Sequence, residues 1–303
     1  MRKVLFVAGE ASGDLHAAGV AAALRRIRPE LLLAAVGGRR LAELGVQLIH
    51  RDEQLGVMGF LDVLRHVPRH FLLLRTMRQM FDRGEVAVIV LIDYPGFNMK
   101  VAAAAKRAGV PVLYYVTPQV WAWGAGRIPK LAQLVTKAAV ILPFEEPLLR
   151  GFGIDATFVG HPLLDRAVDM PTKVEAREAL RLPLNKPVLA LFPGSRQQEI
   201  DRHIDDFVAT GKELQRRIPG LEVLVSVAPT VALDSARCPF RLVHSASLSV
   251  LRAADIALCK SGTTTLEAAI ADTPLIVAYR TGRINYELAK RFVKVPNLSL
   301  IHI

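Results

Sequence analysis

Two glycine turns in the second half of this 303-residue chain hold the residue types that grip phosphate. In "LFPGSRQQEI", residues 191–200, Gly194 permits a tight turn after an apolar run, and Ser195 and Arg196 stand where a helix is expected to begin near Gln197. First-turn amides, the helix dipole and an arginine fork together bind an anion well. The same residues also fit an ordinary cap, Ser195 with Gln198 at capping-box spacing, so both readings stand. In "KSGTTTLEAA", residues 260–269, Gly262 lets a ligand approach the backbone, and the hydroxyls of Ser261, Thr263 and Thr264 can donate to phosphate oxygens. Thr264 with Glu267 offers the alternative of another capping box. Two such turns in one half favour a diphosphate.

The first half carries carboxylates instead. "GEASGD", residues 9–14, sets Glu10, Ser12 and Asp14 around Gly9 and Gly13, which are expected to form a turn after the first strand. It lacks the G-x-G-x-x-G spacing, and its acids would repel a pyrophosphate, so a hydroxyl-rich substrate suits it better. Helix capping by Ser12 or Asp14 is the competing explanation. Asp93 ends the apolar run of "VLIDYPGFN", where partial desolvation would raise its pKa and fit it to take a proton from an alcohol. A turn or capping role is open to it as well. Trp121 and Trp123 in "TPQVWAW", and His161 in "GHP", read equally as core or as the wall of a binding site. Residues 59–83 place Phe60, Leu64, Val67, Phe71 and Leu74 at helical spacing among Arg65, Arg69, Arg75, Arg78 and Arg83. Such a helix either covers a sheet or lies on an anionic membrane, and Pro68 is expected to divide it in two.

These residues need a scaffold, and the pattern supplies one. Short β-rich runs such as "KVLFVAG", "VAVIVLID", "VLALFPG" and "DIALCKSG" alternate with helical segments along the chain, the signature of parallel sheets covered on both faces. A Pro-punctuated connector near residues 162–185 interrupts the alternation. The expected architecture is α/β: two Rossmann-like domains, 1–162 and 163–303, facing a cleft at the carboxyl ends of their strands. Two cysteines, Cys238 and Cys259, are too few for a disulfide framework and fit a reducing compartment. The opening apolar run stops at Glu10, short of a signal peptide, and no run approaches a bilayer span. A net charge of +11 calls for an anionic partner. Aromatic content of 6% and the absence of any nucleic-acid-binding signature argue against nucleic acid.

In order and spacing, "GEASGD", "VMGFLDVL", "IDYPGFN", "YYVTPQVWAW", "LPFE", "FVGHP", "LFPGSRQQEI" and "KSGTTTLEAA" resemble the lipid-A-disaccharide synthase family over nearly the whole chain. The resemblance implies an inverting glycosyltransferase of the GT-B type, with an acceptor and membrane domain followed by a UDP-sugar domain. It further implies transfer of diacylglucosamine from its UDP form to the 6-hydroxyl of diacylglucosamine 1-phosphate, releasing UDP, with no cofactor or metal. Asp93 is the first candidate base, followed by Glu10 and Asp14. Ser12, Gly13, Trp121, Trp123 and His161 are carried over as substrate contacts, with Gly194, Ser195, Arg196, Ser261, Gly262 and Thr263 on the diphosphate side and Glu267 for the ribose. A cytoplasmic enzyme, peripheral on the inner membrane, is the implied setting, and a homodimer is left open. Relatives often carry Arg after "WAW", where this chain has Gly124, so that contact would come from Arg127 or be lost. The final "LSLIHI" reads as foreign sequence, and the second domain is expected to be incomplete beyond about Asn297. Rival readings are a UDP-sugar 2-epimerase-like enzyme and a non-catalytic UDP-sugar or lipid-binding fragment; acceptor-dependent release of UDP separates the transferase from both.

Overall fold

The computed structural model describes residues 2–9, 11–51, 60–118, 121 and 125–280. It divides into two compact units, Met1–Pro162 and Leu163–Ile303. The first runs β1 (Lys3–Ala8), α1 (Ala11–Ile27), β2 (Leu32–Gly37), α2 (Arg39–Glu43), β3 (Gln47–Arg51), α3 (Phe60–Asp82), β4 (Val86–Ile92), α4 (Pro95–Arg107), β5 (Val112–Tyr115), α5 (Ile128–Leu134), β6 (Lys137–Val140), α6 (Glu145–Arg150) and β7 (Ala156–Phe158). The second runs α7 (Leu163–Ala167), α8 (Lys173–Ala179), β8 (Val188–Phe192), α9 (Gln197–Arg217), β9 (Glu222–Val227), β10 (Arg241–His244), α10 (Ser247–Ala253), β11 (Ile256–Lys260), α11 (Thr263–Ile270) and β12 (Leu275–Ala278).

Among the described residues each unit holds one parallel sheet. Strand order is β3-β2-β1-β4-β5-β6-β7 in the first and β10-β9-β8-β11-β12 in the second. Central strands are continuous apolar runs because helices cover both faces: in β1, Leu5 and Val7 join one buried cluster while Val4, Phe6 and Ala8 join another. Amphipathic spacing docks the helices. Ile200, Ile204, Phe207 and Val208 make the buried stripe of α9, each contributing roughly 1.5–3 kcal/mol through burial.

The order of strands reverses direction beside β1 and β4 in the first unit, and beside β8 and β11 in the second. Ligands of open α/β sheets sit outside the carboxyl ends of the strands at such switch points. The four stretches with the most chemistry in the sequence, those following Ala8, Ile92, Phe192 and Lys260, lie at these two places.

Three local readings are decided by the structure. Helix α3 continues through Pro68. A proline removes one backbone donor, and a helix of 23 residues anchored by buried Leu73, Leu74, Met77, Met80 and Phe81 tolerates that loss. The capping boxes that stood as alternatives at Ser195/Gln198 and Thr264/Glu267 do not form: the N-cap positions are Arg196 and Gly262, neither with a side-chain cap bond. A true capping box occurs at Thr172 and Glu175 ahead of α8, in the connector.

Candidate active site

At the first switch point, Asp93 and Tyr94 follow β4 with φ of 45° and 49°, a left-handed pair that turns the chain sharply into α4. Buried Asn98 donates its Nδ2 hydrogens to the carbonyls of Asp93 (2.8 Å) and Ile92 (3.2 Å), and the Tyr114 hydroxyl donates to the Asp93 carbonyl at 2.7 Å. The backbone of Asp93 is therefore clamped while its residue stays half-buried. Burial, and next the negative charge of Asp93, pushes the Tyr114 phenol well above its ordinary range, so that hydroxyl remains a donor. Gly9 lies against the Tyr94 ring, where an added Cβ would come within 2.3 Å of a ring carbon. His70 of α3 meets the Tyr94 hydroxyl at 2.6 Å and packs on Phe97, tying α3 to this turn.

Other expected residues of this unit take different roles. Asp14 lies inside α1, buried, and its carboxylate accepts the backbone N–H groups of Gly38 (2.7 Å), Arg40 (2.9 Å) and Leu41 (3.4 Å). It caps α2 from a neighbouring helix, with both oxygens engaged in holding the β2–α2 turn. Ser12 is exposed and Gly13 is buried in α1 against Ala8, so Gly9, and not Gly13, forms the turn. Glu10 and Trp123 lie outside the described residues. Trp121 donates its indole N–H to Glu145 Oε1 at 3.1 Å and meets Phe144 edge-on. Burial pushes the Glu145 carboxyl up despite that bond. Burial also lowers the His161 imidazole, which favours its neutral form.

The second switch point brings its two glycine turns together through residues that the sequence reading passed over. Glu199, in the first turn of α9, accepts the Ser195 N–H at 3.0 Å through Oε2 and Lys260 Nζ at 2.8 Å through Oε1; Arg196 Nη1 is 3.6 Å from Oε1. Burial works to raise this carboxyl, but Lys260, the Ser195 amide and Arg196 outweigh it and hold Glu199 below the usual carboxylate range. Gly194, at φ 146°, leaves room for that side chain: an added Cβ would sit 2.6 Å from Glu199 Cβ. Beneath, buried His203 accepts the Arg280 N–H at Nε2 (2.9 Å), so its proton is on Nδ1, which donates to the Pro193 carbonyl at 2.9 Å. Glu267 is buried on α11 and, after desolvation, is the second cause pushing the Cys259 thiol up to about 12. Ser261, Gly262 and Thr263 form the β11–α11 turn, with Thr265 Oγ1 donating to the Gly262 carbonyl at 2.7 Å. Glu199 was detectable as an acid in the first turn of α9, where the helix dipole favours one; Lys260 was detectable as the charge ending an apolar strand.

The arrangement suits two tasks, anion binding at the second switch point and proton transfer at the first. Among the described residues no cluster of three or more His, Cys, Asp or Glu could hold a metal ion. A family model described as lipid-A-disaccharide synthetase matches residues 4–303. The chain belongs to that family.

Curated relatives agree. The lipid-A-disaccharide synthase of Myxococcus xanthus is 40% identical over 308 residues, covering 99% of this chain and 80% of that protein. That of Coxiella burnetii is 38% identical, covering 100% and 81%. Among solved structures, the UDP-GlcNAc 2-epimerase of Neisseria meningitidis bound to UDP-GlcNAc superposes with a TM-score of 0.64 at 15% identity, over 98% of this chain and 88% of that one. A glycotransferase of kitacinnamycin gives 0.61 at 15% identity, over 92% and 81%. At such identities the structural likeness concerns the fold. Membership of the lipid-A-disaccharide synthetase family makes this chain an enzyme, a hexosyltransferase of lipid A biosynthesis.

Proposed function

We propose that the enzyme moves diacylglucosamine from its UDP-linked form onto the 6-hydroxyl of diacylglucosamine 1-phosphate, with inversion, giving a β-1,6-linked disaccharide 1-phosphate and UDP. The observation that carries this reading is the contrast between the switch points: an aspartate, Asp93, on a clamped backbone in one unit and paired glycine turns with Arg196 in the other. The second unit binds the leaving diphosphate with Arg196, the residues after Gly194 and the Ser261 to Thr263 turn. Charge that develops on the leaving group is stabilised where it appears. Asp93 then takes the proton of the attacking hydroxyl, worth about 10²–10⁴ in rate for a placed base. Glu267 is assigned to the ribose, and Trp121 and His161 to the sugar.

Acylated substrates fit an enzyme that works at a membrane surface on the cytoplasmic side. Support comes from α3, where Phe71 and Leu72 are 65% and 64% exposed beside Arg69 and Arg75. Among the described residues no helix is long and apolar enough to cross a bilayer. The test is to supply UDP-diacylglucosamine with and without diacylglucosamine 1-phosphate in mixed micelles and follow UDP and lipid products. UDP release that needs the acceptor, with a disaccharide product, supports the reading. Epimerised UDP-sugar formed without acceptor would replace it with the epimerase chemistry.

A further inference from the structure

We infer that Lys260 is a second cation of the diphosphate site and that Glu199 is a positioning residue that holds Lys260 and the two glycine turns together. The inference rests on the proposed reading of this switch point as the UDP site. It adds two residues to that reading.

A carboxylate beside an anion site is an electrostatic liability. It would repel an incoming diphosphate at short range, and burial alone would oppose its charge. Glu199 nevertheless sits there ionised, its side chain 10% exposed, with one oxygen on the Ser195 amide of the β8–α9 turn and the other on Lys260 at the end of β11. Through Lys260 and Ser195, one side chain links the two loops that would meet the phosphates. Gly194 is the residue that makes room for it.

Lys260 is placed for more than neutralising that acid. Its side chain is 15% exposed, its ammonium lies 5.7 Å from the centre of the Tyr279 ring, and it is close enough to the next turn that a Cβ on Gly262 would sit 3.2 Å from Nζ. The ammonium is thus at the glycine turn itself, where phosphate oxygens would approach the backbone. An ammonium has three donors, and Glu199 Oε1 takes one of them. Lys260 can therefore add a phosphate oxygen without leaving Glu199. The carboxylate fixes a flexible four-carbon stem that would otherwise have to be ordered on binding, at a cost in entropy.

The two ideas about Glu199 predict opposite signs. If it is only a nearby negative charge, Glu199→Gln removes repulsion and UDP binds more tightly. If it positions Lys260 and the turns, the same change weakens UDP, because a neutral amide cannot hold both the ammonium and the Ser195 amide as a carboxylate does.

The experiment is calorimetry on the full chain with UDP and with uridine, for the wild type, Lys260→Met, Lys260→Arg, Glu199→Gln and Arg196→Ala. Lys260→Met should weaken UDP about tenfold or more, the lower end for a hydrogen bond to a charged group, with Lys260→Arg recovering most of the loss. Glu199→Gln should also weaken UDP, while uridine binds every variant like the wild type. Wild-type UDP affinity in Lys260→Met, tighter UDP in Glu199→Gln, or a parallel loss of uridine in either would overturn the inference. Arg196→Ala separates the two levels. If it weakens UDP while Lys260→Met does not, the diphosphate site stands and only this inference fails. If neither changes UDP affinity, the site reading fails and takes the inference with it.

Discussion

Gly194 and Asp93 show how much a single position can constrain. At φ 146° a residue with a side chain is strained, and at Gly194 its Cβ would also meet Glu199 Cβ at 2.6 Å. Gly194→Ala is expected to cost about 2 kcal/mol of stability in denaturant unfolding, from backbone strain and the forced movement of Glu199. It should also weaken UDP, since Glu199 would leave the Ser195 amide. Wild-type stability and affinity would mean that the turn relaxes freely. Asp93 is held through its own carbonyl by Asn98 and Tyr114, which fixes where the carboxylate starts from. That it ends a strand was legible in "VLIDYPGFN", because an apolar run ending in Asp-Tyr-Pro-Gly can do little else. The clamp was not, since Tyr114 comes from the neighbouring strand. The partners of Asp14 and Glu199 were not legible for the same reason: a carboxylate in sequence does not reveal which distant amides or cations it will meet, and Gly38 and Lys260 are far along the chain.

The elements were legible where apolar pattern decides them. β1, β4 and β8 are largely buried strands and β11 a partly buried one, each with chemistry at its carboxyl end, as the alternation of runs and turns implied. Helix starts were less so. Hydroxyls at capping-box spacing near Ser195 and Thr264 do not cap α9 or α11, because the helices begin one or two residues away from where that pattern needs them. A different ionic strap secures the second sheet: Asp255 accepts from Lys173 (2.6 Å), buried Arg177 (2.8 Å) and the Val188 N–H (2.8 Å). Burial pushes its carboxyl up, but Lys173, that amide and Arg177 hold it below the usual range. A depressed folded pKa stabilises fully above the unfolded value near about pH 4, and that contribution is lost as pH falls through the folded value. Asp255→Asn should therefore cost on the order of 1 kcal/mol at neutral pH, allowing for partial exposure, and the gap to wild type should close in unfolding curves below about pH 4. A gap unchanged down to pH 3 would deny the ionic origin. For α3, replacing exposed Phe71 and Leu72 with Glu should reduce sedimentation with anionic vesicles severalfold, and added salt should weaken the wild type as well. Equal binding of wild type and variant would remove α3 from the membrane surface.

For the whole molecule, the net charge of +11 calls for an anionic partner, and a UDP-sugar is one. The family could be identified from the ordered series of short stretches, each weak alone. The two sheets explain why those stretches are spaced as they are: four of them fall at switch points, two per unit. In the proposed reaction the second unit recognises the donor and the first removes the proton. That division makes a direct demand on one variant. Asp93→Asn keeps the shape and the clamped backbone of the turn, so UDP affinity by calorimetry should match the wild type while turnover to disaccharide falls by roughly 10²–10⁴. A variant that keeps at least half the wild-type rate, or loses UDP affinity in step with turnover, would contradict it.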